Sequence, residues 1–184
     1  MTQHKYIIDG KRQLRALAAA TRQEIIDVLP GMVAVSVAEL AAVLQRPADS
    51  LYYHLRILRG VGLVLDAGER RRAGRCEVLF RAVAPEISLR YELGKKGNAR
   101  EVNAIVASML RLGIRDFSSS FGAAKAAVSG PRRELWALRK TAWLSKDQLA
   151  AVNRCIETLL AAMSKTQRRG RLYGITVVLN PLDR

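Results

Sequence analysis

Cysteine and histidine are scarce in this sequence of 184 residues, which has two of each. Cys76 and Cys155 give no disulfide framework, which fits a reducing compartment. Two histidines and two separated cysteines also supply no set of three or four soft ligands at a plausible spacing. We therefore expect no metal site, and nothing in the sequence indicates another cofactor.

Long hydrophobic runs are lacking as well. No stretch approaches the roughly 20 apolar residues that a membrane span needs. Met1–Lys5 is not followed by an apolar segment of signal-peptide length. These absences predict a cytoplasmic protein, associated with the nucleoid if it binds DNA, with no membrane partner.

Motifs for catalysis are absent too. The sequence has no Gly-rich phosphate loop and no nucleophile with a base nearby. Ser118, Ser119 and Ser120 fall in a predicted helix, where small residues are typical of close packing. We expect that the protein is not an enzyme.

Positive charge is what the sequence has in excess, with 31 Lys and Arg against 16 Asp and Glu and a net charge of +15. Such an excess attracts polyanions, but composition alone does not separate DNA, RNA and anionic membranes. Residues 1–85 contain 13 basic and 8 acidic residues, and residues 86–184 contain 18 and 8. The more basic half is either a well-solvated surface or a contact for flanking phosphates or an acidic ligand.

Helix starts are marked by three patterns of the capping-box form, Thr21/Glu24, Ser36/Glu39 and Ser145/Gln148. Apolar periodicity predicts helices over 9–19, 22–29, 37–45 and 48–60. Strands are predicted over 63–65 and 76–83, joined by a polar loop over 68–74. Short helices followed by a two-stranded hairpin form the winged-helix layout. The sequence therefore predicts a winged helix-turn-helix domain over residues 1–85.

The helix over 48–60 has its leucines on one face, since Leu51, Leu55 and Leu58 recur at helical spacing. Such a helix fits the major groove of DNA, where each base pair shows a distinct pattern of donors and acceptors. His54 precedes a core leucine and could face either way. The residues predicted to contact DNA are those of the outer face and its start, and the arginines at the hairpin tip: Arg46, Asp49, Ser50, Tyr52, Tyr53, His54, Arg56, Arg59, Arg70, Arg71, Arg72 and Arg75.

Residues 12–83 resemble the arsenic-repressor type of winged helix-turn-helix regulator. The matching stretches are 17–26, 37–41 and above all 51–64, where a helix, a His-Leu pair, a glycine turn and a Leu-Val strand follow in family order. The resemblance implies a dimer on a palindromic operator, a repressor released by a signal, and DNA reading by Ser50, Tyr52, Tyr53, His54 and Arg56. The metal-sensing members have cysteines on the third helix. The third helix here has none, so we expect no metal sensing.

Residues 86–184 are predicted to follow as a helical or α+β region for dimerisation or effector binding, which makes the fold class α+β. Residues 86–97 are predicted to be a linker or irregular strand, with its flexible point at residues 94–97. A helix over 99–126 is longer than a small domain needs internally. Residues 133–144 are open between helix and strand, and the shared parity of Trp136, Leu138 and Ala142 favours a strand. In that case this strand and one over 172–179 flank a helix over 146–164, an order that predicts parallel pairing. The apolar stripe of the long helix is predicted to form a homodimer interface through Val102, Ile105, Val106, Met109, Leu112 and Phe117.

Two alternatives stay open. Trp136, Trp143 and Tyr173 either line a pocket for an unknown small-molecule effector or belong to a plain core. The whole chain is either a sequence-specific regulator of double-stranded DNA or a basic protein that binds nucleoid DNA or RNA without specificity.

Overall fold

A computed structural model describes residues 5–72, 74–94, 97–122, 126–164 and 170–182. Contacts group the described residues up to Gly113, together with those from Ile175 onward, into one compact unit. The residues from Ile114 to Gly174 form a second unit. This division differs from the predicted boundary after residue 85. Helices and strands are mixed, with the strands confined to the first unit.

In the first unit four α-helices precede a hairpin of two long strands, and shorter strands lie before, among and after them. They are β1 (Lys5–Ile8), α1 (Lys11–Leu17), α2 (Ala20–Val28), a 3-10 turn (Leu29–Gly31), β2 (Val35–Ser36), α3 (Val37–Leu44), α4 (Ala48–Gly60), β3 (Val64–Arg72), β4 (Arg75–Ala82), β5 (Glu86–Leu89) and α5 (Ala99–Gly122).

Helix α3 begins as the sequence predicts. The Ser36 hydroxyl accepts a hydrogen bond from the Glu39 backbone N–H at 3.3 Å, and a Glu39 carboxylate oxygen accepts one from the Ser36 N–H at 3.0 Å. Ser145 and Gln148 form the same reciprocal pair ahead of α6. The capping box predicted at Thr21 is wrong, because α2 begins earlier, after Ala19, and no side chain caps it.

A three-stranded antiparallel sheet, ordered β2-β4-β3, packs behind the helices. Its β3–β4 hairpin is longer than predicted, since most of the expected loop over 68–74 is paired strand. The register shifts between Asp66 and Glu69, and Gly68 adopts φ 88° there. Glycine tolerates this left-handed conformation, so it allows an irregularity within β3 rather than ending the strand.

The sequence did not predict the parallel pair of β1 and β5. Lys5 pairs with Glu86 and Ile8 with Leu89, in a segment expected to be a linker or irregular strand. Lys5 Nζ lies 2.8 Å from Glu86 Oε1, while Ile8 is fully buried. Residues 95–96, within the predicted flexible point, lie outside the described residues.

The apolar residues whose periodicity predicts the four N-terminal helices lie in the core of the first unit, and the predicted inner face of the helix over 48–60 is confirmed. Burying these aliphatic side chains fixes which side of each helix faces solvent. The buried set on these helices includes Leu14, Leu17, Ile25, Ile26, Val37, Leu40, Leu51, Leu55 and Leu58.

Helix α5 contributes to this same core, which corrects the predicted dimer interface. Ile105 is 3% exposed and belongs to the core cluster, with Met109 packed against it. The Gln23 side-chain amide donates to the Ile105 carbonyl at 3.1 Å. Val102 and Leu112 are also buried, and Val106 is half-buried. This face is used within the chain, because an amphipathic stripe shows that a helix packs but not against which partner.

The second unit contains the end of α5 and helix α6 (Lys146–Ser164), whose predicted bounds are confirmed. No side chain of α6 is buried. The strands predicted over 133–144 and 172–179 are wrong, since neither segment pairs, and the parallel strand-helix-strand arrangement is wrong with them. Alternating apolar residues indicate a strand only where another strand satisfies the backbone. The predicted helical residues 123–125 lie outside the described residues.

Candidate nucleic-acid interface

Helix α4 presents a polar and aromatic face because its leucines are held in the core. Leu51 and Leu58 are fully buried and Leu55 is 1% exposed. On the other side, Tyr52 and Tyr53 are 57% and 54% exposed. Adjacent exposed aromatic rings form a contiguous patch, unlike single scattered apolar residues, so this face is a candidate for ligand contact.

The first turn of α4 adds small polar groups beside the tyrosines. Asp49 and Ser50 are exposed. The Ser50 hydroxyl donates to the Pro47 carbonyl at 2.7 Å, which fixes its rotamer. Its oxygen lone pairs stay available to accept a hydrogen bond from a ligand.

A shallow groove runs between α4 and the β3–β4 hairpin. Its lining combines aromatic rings with two arginines: Tyr52, Tyr53, Leu55, Arg56, Arg59 and Phe80. The groove continues past Arg56 and Arg59 toward Val64, Leu65 and Asp66. Apolar walls with cationic groups along them suit an anionic, partly apolar polymer.

Both groove arginines are positioned by neighbours. The Arg56 guanidinium lies 5.7 Å from the Tyr53 ring centroid, and that of Arg59 lies 5.9 Å from the Phe80 ring. Arg59 also donates to the Asp66 carboxylate at 2.6 Å. Asp66 therefore holds one groove cation and adds a negative charge to the wall.

The hairpin arginines divide into two groups. Arg70 donates to Glu77 and lies between Glu77 and Glu39, each at 2.9 Å, which joins the hairpin to the first turn of α3. Arg72 lies 3.7 Å from Glu39. Arg71 is exposed and pairs across the strands with Cys76, on the face opposite to that of Arg70. Arg70 is thus committed to an internal network, while Arg71 faces solvent.

Two arginines oppose each other next to the hairpin turn. Arg72 and Arg75 are cross-strand partners, and both are exposed. Like charges placed directly opposite in a sheet repel each other. An anion seated between them would relieve that repulsion, so this end of the hairpin favours a phosphate.

One comparison with known proteins matches the segment that contains these features. The family described as a helix-turn-helix domain matches residues 17–66, from the end of α1 through α4 to the start of β3. The chain carries a helix-turn-helix domain. Such a domain indicates DNA binding in transcription regulation. No curated protein matches the sequence.

The turn of the helix-turn-helix domain is a strained position. Gln45 ends α3 with φ 52° and ψ 45°, in the left-handed region that few side chains adopt. Arg46 follows, and its guanidinium donates to Glu24 on α2 at 2.6 Å and 3.0 Å. A DNA contact of Arg46 would use the guanidinium N–H groups that this ion pair does not engage.

His54 lies on the side of α4 that turns toward the protein. Its Nδ1 is buried and has no hydrogen-bond partner among the described residues. Burial lowers the pKa of His54, and the positive charges of Arg22 and Arg46 lower it further. The lowered pKa favours the neutral imidazole, which adds no positive charge to the outer face.

Glu39 is the functional residue that the sequence did not reveal. One carboxylate oxygen caps α3 through the Ser36 N–H, and the other lies 2.9 Å from Arg70. The hydrogen bond from Ser36 lowers the pKa of Glu39, and Arg70 lowers it further. The capping-box pattern identifies the first role, but the second depends on the hairpin register.

Side chains that the sequence left open as other kinds of site are exposed. Trp136, Trp143 and Tyr173 are 66%, 101% and 50% exposed, so they enclose no effector pocket. Cys76 is also exposed, and its hydrogen bond to Glu69 raises its pKa, which disfavours the reactive thiolate.

The described part of the chain lacks two further features. No helix there is both long and apolar enough to span a membrane. No three His, Cys, Asp or Glu side chains among those residues come together as metal ligands would.

Proposed function

We propose that this chain is a sequence-specific transcription regulator of the arsenic-repressor type. It is a cytoplasmic repressor that binds a palindromic DNA operator as a homodimer, senses no metal and catalyses no reaction. The observation that carries the proposal is the exposed Tyr52–Tyr53–Arg56 face of α4, on a leucine-anchored helix within the helix-turn-helix domain.

In this proposal α4 is the recognition helix. Its N-terminal half enters the major groove, where Ser50 and Tyr53 meet base edges and Arg56 meets a guanine or a phosphate. The tyrosine rings also offer apolar surface to thymine methyl groups. Base contacts of this kind give specificity, because they differ between the four base pairs.

The β3–β4 hairpin serves as the wing. Arg71, Arg72 and Arg75 follow the phosphate backbone, while Arg70 keeps the wing attached to α3 through Glu39. Arg59, in the groove between α4 and the wing, meets the backbone of the strand that passes there. These contacts set affinity and register without reading sequence.

The test begins with selection of bound sites from random DNA, which should return a palindrome. Tyr53→Ala and Arg56→Ala should each weaken binding to that site by about 5- to 150-fold, the value of a good base contact. Binding to random DNA should change much less. Arg100→Ala is the matched control, because Arg100 is an exposed cation on α5, outside this face. Equal losses on both DNAs would remove α4 from the base-reading role.

A second candidate function is non-specific binding to nucleoid DNA or RNA. The excess of basic residues over 86–184, all of which lie outside the helix-turn-helix domain, favours it. A protein of this kind would show little preference for any sequence and a steep dependence of affinity on salt. The same site selection would then return no common sequence.

A further inference from the structure

The second unit contains an extended segment in which tryptophans alternate with basic residues. We name residues 132–145 the Trp segment. Residues 133–145 form neither a helix nor a strand, and all those from Trp136 onward are exposed. Trp136 and Trp143 are 66% and 101% exposed. They are the two tryptophans of the whole chain, so both of its largest aromatic rings face solvent in one short segment.

The beginning of the Trp segment is held in place by Glu134. Its N–H donates to the Ala127 carbonyl at 2.7 Å, and one carboxylate oxygen accepts from the Ala127 N–H at 2.9 Å. The other carboxylate oxygen accepts from Arg171 at 3.1 Å and from the Tyr173 hydroxyl. The one acidic side chain of the segment is therefore engaged inside the second unit.

Arg133 is already stacked on a tryptophan. Its guanidinium lies 4.1 Å from the centroid of the Trp136 ring, within the range of a cation–π contact. Arg133 Nε also donates to the Leu135 carbonyl at 2.7 Å, which fixes the guanidinium there. The Trp136 ring stays two-thirds exposed, so it can stack on a further flat group. A cation and an open aromatic ring thus lie side by side.

Positive charge surrounds these rings. The Trp segment has four basic residues, Arg132, Arg133, Arg139 and Lys140, against Glu134. Residues 114–174, which span the second unit, have 12 Lys and Arg against 4 Asp and Glu. This excess of eight is more than half of the net charge of +15. A unit of this charge attracts a polyanion.

Exposed aromatic rings among cations suit a nucleic acid whose bases are unpaired. In a duplex the flat faces of the bases cover one another, whereas in a single strand they can stack on a protein ring. Seven residues separate Trp136 from Trp143, and an extended chain of that length reaches up to about 25 Å. The two rings can therefore stack on separate bases of one strand, while the basic residues between them contact its phosphates.

An anionic membrane matches this part of the chain less well. A helix that lies on such a membrane has a polar face rich in Lys and Arg. Helix α6, which follows the Trp segment, balances its basic residues with acidic ones: Lys146 and Arg154 against Asp147 and Glu157. The excess of cations lies instead in the extended segment, beside the exposed rings.

We propose that the Trp segment binds single-stranded nucleic acid, with bases stacked on Trp136 and Trp143. Arg133, Arg139 and Lys140 then contact the phosphates. This surface lies outside the helix-turn-helix domain at residues 17–66 and does not depend on operator binding. It also differs from non-specific binding through charge alone, since it requires the rings. Stacking and phosphate contacts are common to DNA and RNA single strands, so both are ligands.

The first experiment measures the tryptophan fluorescence of the full chain, which comes from the Trp segment alone. Oligothymidylate and oligouridylate of about 12 nucleotides, a typical site size, should quench it saturably. A DNA duplex of equal length and inorganic polyphosphate offer no free base faces and should quench it little. Equal quenching by polyphosphate would overturn the proposal. A spectral shift with anionic phospholipid vesicles, without quenching by the oligonucleotides, would overturn it in favour of a membrane.

The second experiment measures binding of labelled oligothymidylate by fluorescence anisotropy. Trp136→Ala and Trp143→Ala should each weaken binding by about 5- to 150-fold, the value of one stacked base. Trp136→Phe and Trp143→Phe keep an aromatic ring and should retain most of the affinity. Tyr91→Ala is the matched control, because Tyr91 is 69% exposed and lies outside the segment. Alanine variants that bind like wild type, or phenylalanine variants that lose as much as alanine, would overturn the proposal.

The same variants separate this surface from the proposed function. The Trp136→Ala/Trp143→Ala chain should bind the selected operator duplex as wild type does, because operator binding uses α4 and the hairpin. A chain that selects no operator, yet binds single strands through its tryptophans, retains this surface and loses the regulatory role. A chain that selects an operator, while its tryptophans do not respond to single strands, retains the regulatory role and loses this surface.

Discussion

The two faces of α5 predict opposite responses to the same mutation. Ile105 is 3% exposed and lies in the core cluster, so Ile105→Ala leaves a cavity among well-packed side chains. Such changes cost about 2–5 kcal/mol. A domain is stable by only about 5–15 kcal/mol, so this is a large fraction of the total. For a chain of this length we expect a fall in Tm of roughly 5–15 °C.

Ile114→Ala removes the same atoms from a side chain that is 68% exposed. In the monomer its effect on the free energy of unfolding should stay within about 0.5 kcal/mol. If this exposed face contacted a second copy, any loss would grow with protein concentration, because association stabilises the folded state by mass action. The loss caused by Ile105→Ala should not depend on concentration.

Differential scanning calorimetry over a range of protein concentrations distinguishes these cases. The reasoning would fail if Ile105→Ala left the Tm nearly unchanged while Ile114→Ala lowered it at every concentration. It would fail equally if Ile105→Ala produced a folded monomer of wild-type stability. That result would return the buried stripe to the role of a dimer surface.

Further predictions concern the candidate nucleic-acid interface. Arg70→Gln should lower the Tm and leave the salt dependence of DNA binding nearly unchanged. Arg71→Gln should instead reduce the slope of log K against log salt by about 0.9 and leave the Tm unchanged. The reverse pattern would contradict the division of the hairpin arginines. Asp66→Asn should release Arg59 and strengthen binding to specific and random DNA by about two- to fivefold in fluorescence anisotropy, the value of an exposed ion pair; weaker binding would refute this. Folding lowers the pKa of His54 below its ordinary value near 6.5. Between these two pKa values the unfolded chain binds the proton more readily than the folded chain. The free energy of unfolding therefore falls as the pH falls through this window. Urea unfolding at pH 7.5 and 5.5 should show a smaller loss for His54→Asn, and identical pH profiles would exclude His54 as the cause.

The faces of α4 follow from its sequence because leucines recur at one helical spacing and polar residues fill the rest. Leu51, Leu55 and Leu58 are buried, and Tyr52 and Tyr53 face outward, as periodicity predicts. A single apolar stripe on a short helix leaves one choice of orientation. The local signal is therefore sufficient for this part of the candidate site.

Helix α5 shows where the same reasoning fails. It has two apolar stripes, one through Ile105 and one through Ile114, and hydrophobic periodicity gives no preference between them. Which stripe enters the core depends on contacts with distant residues, such as the hydrogen bond from Gln23 to the Ile105 carbonyl. A sequence read locally contains no information about that choice.

The arginines of the hairpin show the same limit for charge. The sequence indicates a basic tip, but the cross-strand register decides which side chains share a face. Arg70 pairs with Glu77 in that register and meets Glu39 from another element. Ion pairs between residues far apart in sequence cannot be inferred from composition, so the sequence alone does not separate Arg70 from Arg71.

The parallel pairing of β1 with β5 brings the two ends of residues 9–85 together. It extends over four residue pairs, from Lys5/Glu86 to Ile8/Leu89. The chain continues from β5 toward α5. A displacement of β1 would therefore be transmitted through β5 to the segment that leads to α5. A purification tag or fusion partner joined just ahead of Lys5 would place bulk beside the β1–β5 strand pair and disturb it. Because β5 leads toward α5, this disturbance would extend to the segment between them. Tags and fusion partners for this protein are therefore better attached elsewhere.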